Sequence, residues 1–260
     1  MHPELFSIGD FTIHTYGFMI MVGASLAFFY MSYAAKKDLG IEREKIQNLA
    51  VLVIISAFVG GKLFFYLENP SYYFDSFANL KKNFRTGFVF YGSLLFVIPV
   101  AVWYFKKEKW PVWAMLDRLA ITACILHGIG RLGCFFAGCC YGIESDLPWA
   151  VTFSNTTSQA PLHTGLHPTQ LYSSTLIFSI LALLLMLKRH NRFEGQLFFI
   201  YIILYAAGRS LIEVFRGDEA RGFIVEDVLS HSQFISIIVI SVATLAYFKF
   251  KKGADFKKQA

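Results

Sequence analysis

Apolar residues dominate this chain in seven long runs that are separated by shorter polar stretches. The runs cover residues 14–34, 49–67, 87–105, 113–136, 170–187, 196–215 and 233–250. Their lengths are close to the roughly 20 residues that an α-helix needs to cross the hydrocarbon core of a bilayer. The pattern predicts an all-α integral membrane protein with about seven transmembrane helices. No internal repeat or change in composition divides the chain, so residues 1–260 are predicted to form a single transmembrane domain.

Lys and Arg fall mostly on one side of the predicted membrane. If the N-terminus lies outside, fifteen of them occupy inner segments and five occupy outer segments. The five outer residues are Lys81, Lys82, Arg85, Arg216 and Arg221. Because basic loops are retained on the cytoplasmic side of a membrane, this distribution predicts that the N-terminus is outside and the C-terminus is cytoplasmic.

The composition supports a membrane protein and argues against a soluble one. Hydrophobic residues make up 55% of the chain and charged residues only 16%, whereas soluble domains carry about 25% charged residues. The formal net charge of +6 is explained by the basic inner loops. A nucleic-acid partner is therefore not predicted.

Three cations, Lys62, Arg131 and Arg209, lie in the outer third of their predicted helices. An ionisable side chain at membrane depth is unfavourable unless it faces a partner, a cavity or a substrate. Each cation could simply pair with a carboxylate or a carbonyl oxygen. Because three helices place a cation at one depth, the favoured interpretation is a shared anion-binding site near the outer leaflet.

The most unusual stretch of the chain covers residues 127–142, at the end of the fourth apolar run. At about 100° per residue, His127, Arg131, Cys134 and Gly138 share one face of a helix. The glycines of this stretch allow a neighbouring helix or a lipid headgroup to approach the backbone closely. Helix packing alone would explain the glycines but not the arginine among them. This face is the candidate site.

The cysteines are Cys124, Cys134, Cys139 and Cys140, and all of them lie in this helix or directly after it. Their clustering does not indicate a disulfide framework. A metal site is not predicted, because the spacing is not that of the usual zinc sites and adjacent cysteines rarely supply two ligands. Small buried packing residues are the favoured interpretation, and no cofactor is expected.

The sixth apolar run carries a second polar face. Tyr205, Arg209, Glu213 and Arg216 are spaced so that they lie on one side of a helix. Glu213 can neutralise the charge of either arginine, or it can take a direct part in chemistry. The sequence leaves both interpretations open.

Six ordered blocks of the chain resemble those of the prolipoprotein diacylglyceryl transferase family, and they extend along most of its length. The blocks are Tyr16-Gly17, Gly60-Gly61-Lys62, Phe90-Tyr91-Gly92-Ser93-Leu94-Leu95, Gly130-Arg131-Leu132-Gly133-Cys134-Phe135 with Gly138 and Gly142, His167-Pro168-Thr169-Gln170-Leu171-Tyr172, and Arg209 with Glu213-Val214-Phe215-Arg216-Gly217-Asp218. Tyr91 stands where the family has a motif histidine, Cys134 replaces an asparagine, and Cys139 replaces an acidic residue. These departures mark a divergent member.

The resemblance implies a transferase of the bacterial cytoplasmic (inner) membrane with its active site towards the outer leaflet. Its substrates would be phosphatidylglycerol, a membrane lipid, and a prolipoprotein signal peptide with a lipobox cysteine. The cysteine thiol attacks the glyceryl carbon that carries the phosphate, and glycerol phosphate leaves. A thiol reacts well only after deprotonation, and fixed cations stabilise the charge that develops on the phosphate oxygens.

On this resemblance, Arg131 and Arg209 bind the phosphate and Lys62 adds a more remote positive charge. His127 or Tyr91 handles the proton. Further substrate-binding candidates are Tyr16, Gly142, Glu213, His167 and Gln170. Two alternatives remain open: a transferase of the same fold that uses another acceptor, and a seven-helix carrier for an anion or lipid. The carrier would also explain cations within the membrane, although no inverted repeat is visible.

Overall fold

The computed structural model describes residues 2–8, 11–73, 75–84, 87–217, 223–225 and 229–259. Its helices are α1 (Thr15–Leu39), α2 (Arg43–Glu68), α3 (Pro70–Tyr73), α4 (Phe77–Lys82), α5 (Phe90–Lys107), α6 (Val112–Ala137), α7 (Thr169–Lys188), α8 (Gln196–Glu213) and α9 (His231–Gln259). Three antiparallel strand pairs accompany them: β1 (Glu4–Ile8) with β2 (Phe11–His14), β3 (Val151–Thr152) with β4 (Gly165–Leu166), and β5 (Phe223–Val225) with β6 (Leu229–Ser230).

The protein is an all-α membrane protein, as predicted. Among the described residues, six helices are long and apolar enough to cross a membrane: α1, α2, α6, α7, α8 and the part of α9 from His231 to Ala254. The predicted run at 87–105 does form a helix, α5, but this helix is not one of the six. It has 18 residues, contains Pro99 and ends in Lys106 and Lys107. The count of seven spans and the orientation stay predictions. Two of the basic residues assigned to outer segments, Arg85 and Arg221, lie outside the described residues.

The strand pairs are not part of the sequence prediction. The first pair precedes α1, and its end is fixed where the Thr15 N–H donates to the Pro3 carbonyl at 2.8 Å. Strands of two to five residues are too short to produce a hydrophobic period that stands out beside long apolar runs. The sequence therefore predicts the long helices, but neither the short helices α3 and α4 nor the short strands.

The chain forms two compact units. One unit combines Met1–Met31 with Leu116–Ala260, and the other is Ser32–Met115. We call them the larger and the smaller unit. The single domain expected from the sequence stays a prediction.

In the smaller unit, α2 and α5 approach each other through glycines. A Cβ atom on Gly60 would lie only 2.5 Å from the carbonyl oxygen of Gly92. The Ser93 hydroxyl also donates to the Ala57 carbonyl at 2.8 Å. This close approach explains the glycines at these positions through helix packing.

In the larger unit, α6, α7 and α8 surround a buried apolar cluster. It contains Ala120, Ile121, Cys124, Ile177, Ile180, Leu184 and Leu197. Helix α1 packs closer to the end of α6, where a Cβ on Gly133 would lie 3.1 Å from the Met19 Cβ and 3.3 Å from Tyr16 Cδ2. This packing holds the candidate stretch at the end of α6 against three other helices.

Asp117 fixes the start of α8. It is 1% exposed, and its carboxylate accepts hydrogen bonds from the backbone N–H groups of Gly195 (2.9 Å) and Phe198 (3.0 Å) and from the Asn191 side chain (3.1 Å). These bonds satisfy N–H groups that a helix N-terminus leaves without partners. Asp117 is therefore a structural residue that anchors α8 to α6.

We expect Asp117→Ala to lower the free energy of unfolding by about 3 kcal/mol or more, because it removes three charge-assisted hydrogen bonds from a buried site. Thermal unfolding of the purified protein in detergent micelles measures this effect. Asp146→Ala, in an exposed loop, is the matched control and should unfold like the parent. Equal stability of the two variants would contradict the anchoring role.

Candidate active site

Three of the sequence blocks meet just after α6 ends. The Gly142 N–H donates to the His167 carbonyl at 3.0 Å, and the Ile143 N–H donates to the Phe215 carbonyl at 2.9 Å. Gly142 also forms a β-bridge with Arg216. The candidate residues of α6, α7 and α8 are therefore joined by backbone hydrogen bonds at one point. Asp218, the last residue of the third block, lies outside the described residues.

Gly142 has no room for a side chain at this junction. An added Cβ would lie 2.5 Å from the His167 Cβ and 2.6 Å from the carbonyl oxygens of His167 and Phe215. Because two of these three neighbours are backbone atoms, the backbone segments around Gly142 would have to separate. The predicted substrate-binding glycine thus has a clear structural role.

We expect Gly142→Ala to give little folded protein, or a folded protein with strongly reduced activity, because the junction cannot close around the methyl group. Yield and monodispersity in size-exclusion chromatography measure folding. Gly253→Ala is the control, since a Cβ at that position would have no neighbour within 4 Å. A Gly142→Ala protein with normal yield and activity would show that the junction is not needed.

His127 and Arg131 contact each other on α6, as their shared face predicts. The Arg131 Nε–H donates to the His127 Nε2 at 3.2 Å. His127 Nε2 is therefore the acceptor nitrogen, and the imidazole carries its proton on Nδ1. The hydrogen bond holds the guanidinium in a fixed orientation.

The polar face of α8 meets this pair. The rings of His127 and Tyr205 contact edge to face with 5.2 Å between their centroids. One turn after Tyr205, the Arg209 guanidinium forms an ion pair with Glu213. The side chains of Arg209 and Glu213 are 17% and 4% exposed, so this is a buried pair. His127 lies within electrostatic range of both arginines.

The first turn of α7 holds the backbone that follows α6. Gln170 is fully buried, and its Nε2 donates to the Cys139 carbonyl at 2.8 Å. The Thr169 hydroxyl donates to the Cys140 carbonyl at 2.7 Å. These side chains satisfy carbonyl groups near the end of α6 that have no helical partner.

His167 belongs to a short chain of polar groups. Its Nδ1 lies 3.1 Å from the Tyr172 hydroxyl, and the Trp149 Nε1–H donates to the same hydroxyl at 2.8 Å. His167 is 9% exposed, so its ring is fixed in place. Trp149 was not among the predicted site residues, because nothing in its exposed loop indicates the distant partner.

Tyr16, near the start of α1, is 44% exposed. It packs beside Gly133, within the same turn of α6 as Arg131. Tyr16 therefore lies beside the end of α6, and its substrate-binding assignment stays a prediction.

The three cysteine thiols at the end of α6 are also close together. The Sγ atoms of Cys134, Cys139 and Cys140 lie within 4.8 Å of one another, and the Cys139 thiol donates to the Cys134 carbonyl at 3.7 Å. The nearby thiols of Cys134 and Cys139, and then the charges of Arg131 and Arg216, lower the pKa of Cys140. The sequence interpretation as packing residues did not foresee this cluster.

Lys62 and Tyr91 belong to the smaller unit. The Lys62 ammonium donates to the carbonyls of Gly87 (2.9 Å) and Asn83 (3.4 Å), the arrangement that the simple pairing interpretation expects. Tyr91 lies in the first turn of α5 and is 67% exposed. Their assignments, a remote positive charge for Lys62 and proton transfer for Tyr91, stay predictions.

Comparison with known proteins finds one family along nearly the whole chain. The family model for prolipoprotein diacylglyceryl transferase matches residues 3–249. A phosphatidylglycerol–prolipoprotein diacylglyceryl transferase of Clostridium tetani is 37% identical over 247 residues, which cover 95% of this chain and 97% of that protein. A second such protein, from Clostridium perfringens, is 32% identical over 248 residues, which cover 95% of this chain and 94% of that protein. The similarity thus extends over nearly the whole of each chain.

Proposed function

Because this chain belongs to the prolipoprotein diacylglyceryl transferase family, we propose that it transfers a diacylglyceryl group from phosphatidylglycerol to the thiol of a prolipoprotein. The relatives carry both substrates in their names. The acceptor thiol is the lipobox cysteine at the end of a signal peptide. The enzyme acts in the bacterial cytoplasmic (inner) membrane, with its site towards the outer leaflet.

The observation that carries this proposal is the position of Arg131 and Arg209 around His127, where three helices meet. The leaving group is a phosphate ester, and its oxygens gain charge as the bond to the glyceryl carbon breaks. Guanidinium groups that are already oriented stabilise this charge without reorganising at the moment of reaction. Their planar fork can contact two oxygens at once.

The remaining residues at the junction suit the binding of the two substrates. Tyr16 presents a half-exposed ring beside the end of α6, while the buried His167 holds the adjoining backbone. Gln170 and Gly142 act through the backbone that they hold. Glu213 limits the excess positive charge by pairing with Arg209.

We assign His127 as a positioning residue. Its Nε2 already accepts a hydrogen bond from Arg131. To take a proton there, His127 would have to lose this bond and carry a positive charge beside the guanidinium, which is unfavourable. His127 therefore orients Arg131, and the acceptor thiol must lose its proton in another way.

We expect His127→Gln to keep more transferase activity than His127→Ala, because a glutamine amide oxygen can still accept the hydrogen bond from Arg131. The pH–rate profile should keep the shape of the parent profile in both variants. Initial rates over a pH series measure this. Loss of the acidic limb in both variants would instead identify His127 as the general base.

The proposed reaction is tested with purified protein, phosphatidylglycerol vesicles and a synthetic lipobox peptide. Mass spectrometry should detect a diacylglyceryl adduct on the peptide cysteine, together with an equimolar amount of glycerol phosphate. A peptide with serine in place of the cysteine should remain unmodified. Modification of the serine peptide would favour a different acceptor, and movement of an anion across sealed vesicles without a covalent product would favour a carrier.

A further inference from the structure

The thiols of Cys134, Cys139 and Cys140 form a compact cluster that the proposed reaction does not use. Their Sγ atoms lie within 4.8 Å of one another, and the side chains are partly buried. In the part of the chain that the structure describes, no fourth His, Cys, Asp or Glu side chain joins this group. Three protein ligands with one open position are typical of catalytic zinc sites, whereas structural sites have four.

The backbone removes the objection that adjacent cysteines rarely act as two ligands. Cys140 has φ +58° and Gly138 has φ +74°, so the chain coils tightly after α6. The left-handed region is uncommon for a residue other than glycine. Hydrogen bonds from Thr169 and Gln170 to the carbonyls of Cys140 and Cys139 hold this conformation. It keeps both thiols on the side of Cys134.

The distances between the sulfur atoms fit a thiophilic metal ion with tetrahedral coordination. A zinc–sulfur bond of about 2.3 Å in tetrahedral geometry separates the sulfur atoms by about 3.8 Å. The thiols therefore need to move by about 1 Å or less. An all-sulfur set of ligands favours soft or borderline metal ions over magnesium or calcium.

The charges around the cluster suit a metal–thiolate centre. Three thiolates and one divalent cation together carry a single negative charge. The guanidinium groups of Arg131 and Arg216 lie within electrostatic range of Cys140. A partly buried centre with one negative charge is thus compensated by nearby fixed cations.

A buried acceptor beside the cluster has no partner. Gln170 is fully buried, and while its Nε2 binds the Cys139 carbonyl, its Oε1 lacks a hydrogen-bond partner among the described residues. A buried acceptor without a partner is unfavourable. A donor bound at the cluster, such as a water on a metal ion, would satisfy it.

We propose that Cys134, Cys139 and Cys140 bind a thiophilic divalent cation such as Zn²⁺ as three thiolates, and that the acceptor thiol takes the fourth position. The second part rests on the proposed function. It supplies the deprotonation that His127 does not provide, since His127 Nε2 already accepts a hydrogen bond from Arg131. Binding to the metal deprotonates a thiol directly.

The step balances without a redox change. The three protein thiols and the acceptor thiol each release a proton to water when they bind the metal ion. The acceptor sulfur then forms a bond to the glyceryl carbon. The bond between this carbon and the phosphate oxygen breaks, and its electron pair stays on the oxygen. The thioether product is a weaker ligand and leaves.

The first test is the metal content of the intact protein, purified in detergent under reducing conditions with Zn²⁺ supplied and excess removed. Inductively coupled plasma mass spectrometry should find about one zinc ion per protein chain. Cys139→Ser and Cys140→Ser should each lower this content by about tenfold or more. Cys124→Ala is the matched control, because Cys124 lies in α6, as Cys134 does, but outside the cluster, and this variant should keep its zinc.

A second measurement uses the unsubstituted chain and does not depend on how the variants fold. Replacing zinc by Co²⁺ should produce the thiolate-to-cobalt charge-transfer band and the intense visible bands of tetrahedral cobalt. Adding the lipobox peptide should shift these bands, and the serine peptide should leave them unchanged. The same protein is assayed for the diacylglyceryl adduct with and without metal.

The outcomes separate this inference from the proposed function. Less than about a tenth of a zinc per chain, equal zinc in all variants, or a disulfide within the cluster would overturn the site. A cobalt spectrum that the peptide does not change, or equal adduct formation without metal, would overturn the role of the fourth position while the transferase function stands. A bound metal and a spectral shift without any adduct would instead refute the proposed function.

Discussion

Arg131→Ala is expected to lower the rate of diacylglyceryl transfer by at least about 100-fold, the usual effect of removing one fixed donor to developing negative charge. The guanidinium is held by His127 at 3.2 Å and lies within electrostatic range of Tyr205 and Arg216. The loss should fall mainly on kcat, because the charge on the leaving phosphate develops in the transition state. Initial rates with the lipobox peptide at several lipid concentrations measure it.

Arg131→Lys separates charge from geometry. Lysine keeps the positive charge but cannot contact two oxygens with a planar fork, so it should recover only part of the rate. Arg192→Ala, at an exposed position before α8, is the control and should transfer at the parent rate. If Arg131→Ala kept its rate within about threefold of the parent, the phosphate site would have to lie elsewhere.

Glu213→Ala is expected to lower the free energy of unfolding by about 3–5 kcal/mol, because it leaves the Arg209 charge in a buried place without its carboxylate partner. Both side chains of the pair have little exposure. For a protein of this size, the apparent unfolding temperature should fall by roughly 10 °C. Heating in detergent followed by size-exclusion chromatography measures the midpoint.

A double variant decides between the two roles that the sequence leaves open for Glu213. Arg209→Met combined with Glu213→Leu removes the buried pair together, and such replacements are often neutral for stability. It should recover most of the stability of the parent but show little transfer, since Arg209 is gone. A Glu213→Ala variant as stable as the parent but inactive would show that Glu213 acts directly in the chemistry.

The candidate site could be predicted from the sequence where the signal is local. A shared helix face places His127 beside Arg131, and i, i+4 spacing places Arg209 beside Glu213, because helix geometry alone fixes these distances. The contact of Tyr205 with His127 joins two helices through residues 78 positions apart in the chain, and no helical period contains this information.

The arrangement of the three clustered cysteines also could not be predicted from the sequence. On spacing alone, Cys139 and Cys140 are unsuitable as a pair of ligands. The positive φ of Cys140 brings both thiols to Cys134, and that conformation depends on Thr169 and Gln170 in another helix. The local sequence shows that three cysteines are close together in the chain. Two side chains of another helix, Thr169 and Gln170, decide how the thiols are arranged.

By itself, the sequence determined that this is a helical membrane protein and which of its helices carry buried charge. Long apolar runs have few alternatives in a bilayer, because every backbone polar group must be paired within its own segment. Only the tertiary structure decided that Gly142, His167 and Phe215 close one junction and that three thiols gather beside Arg131. These contacts depend on backbone hydrogen bonds between segments far apart in the chain, and such bonds leave no periodic trace in the residues that form them.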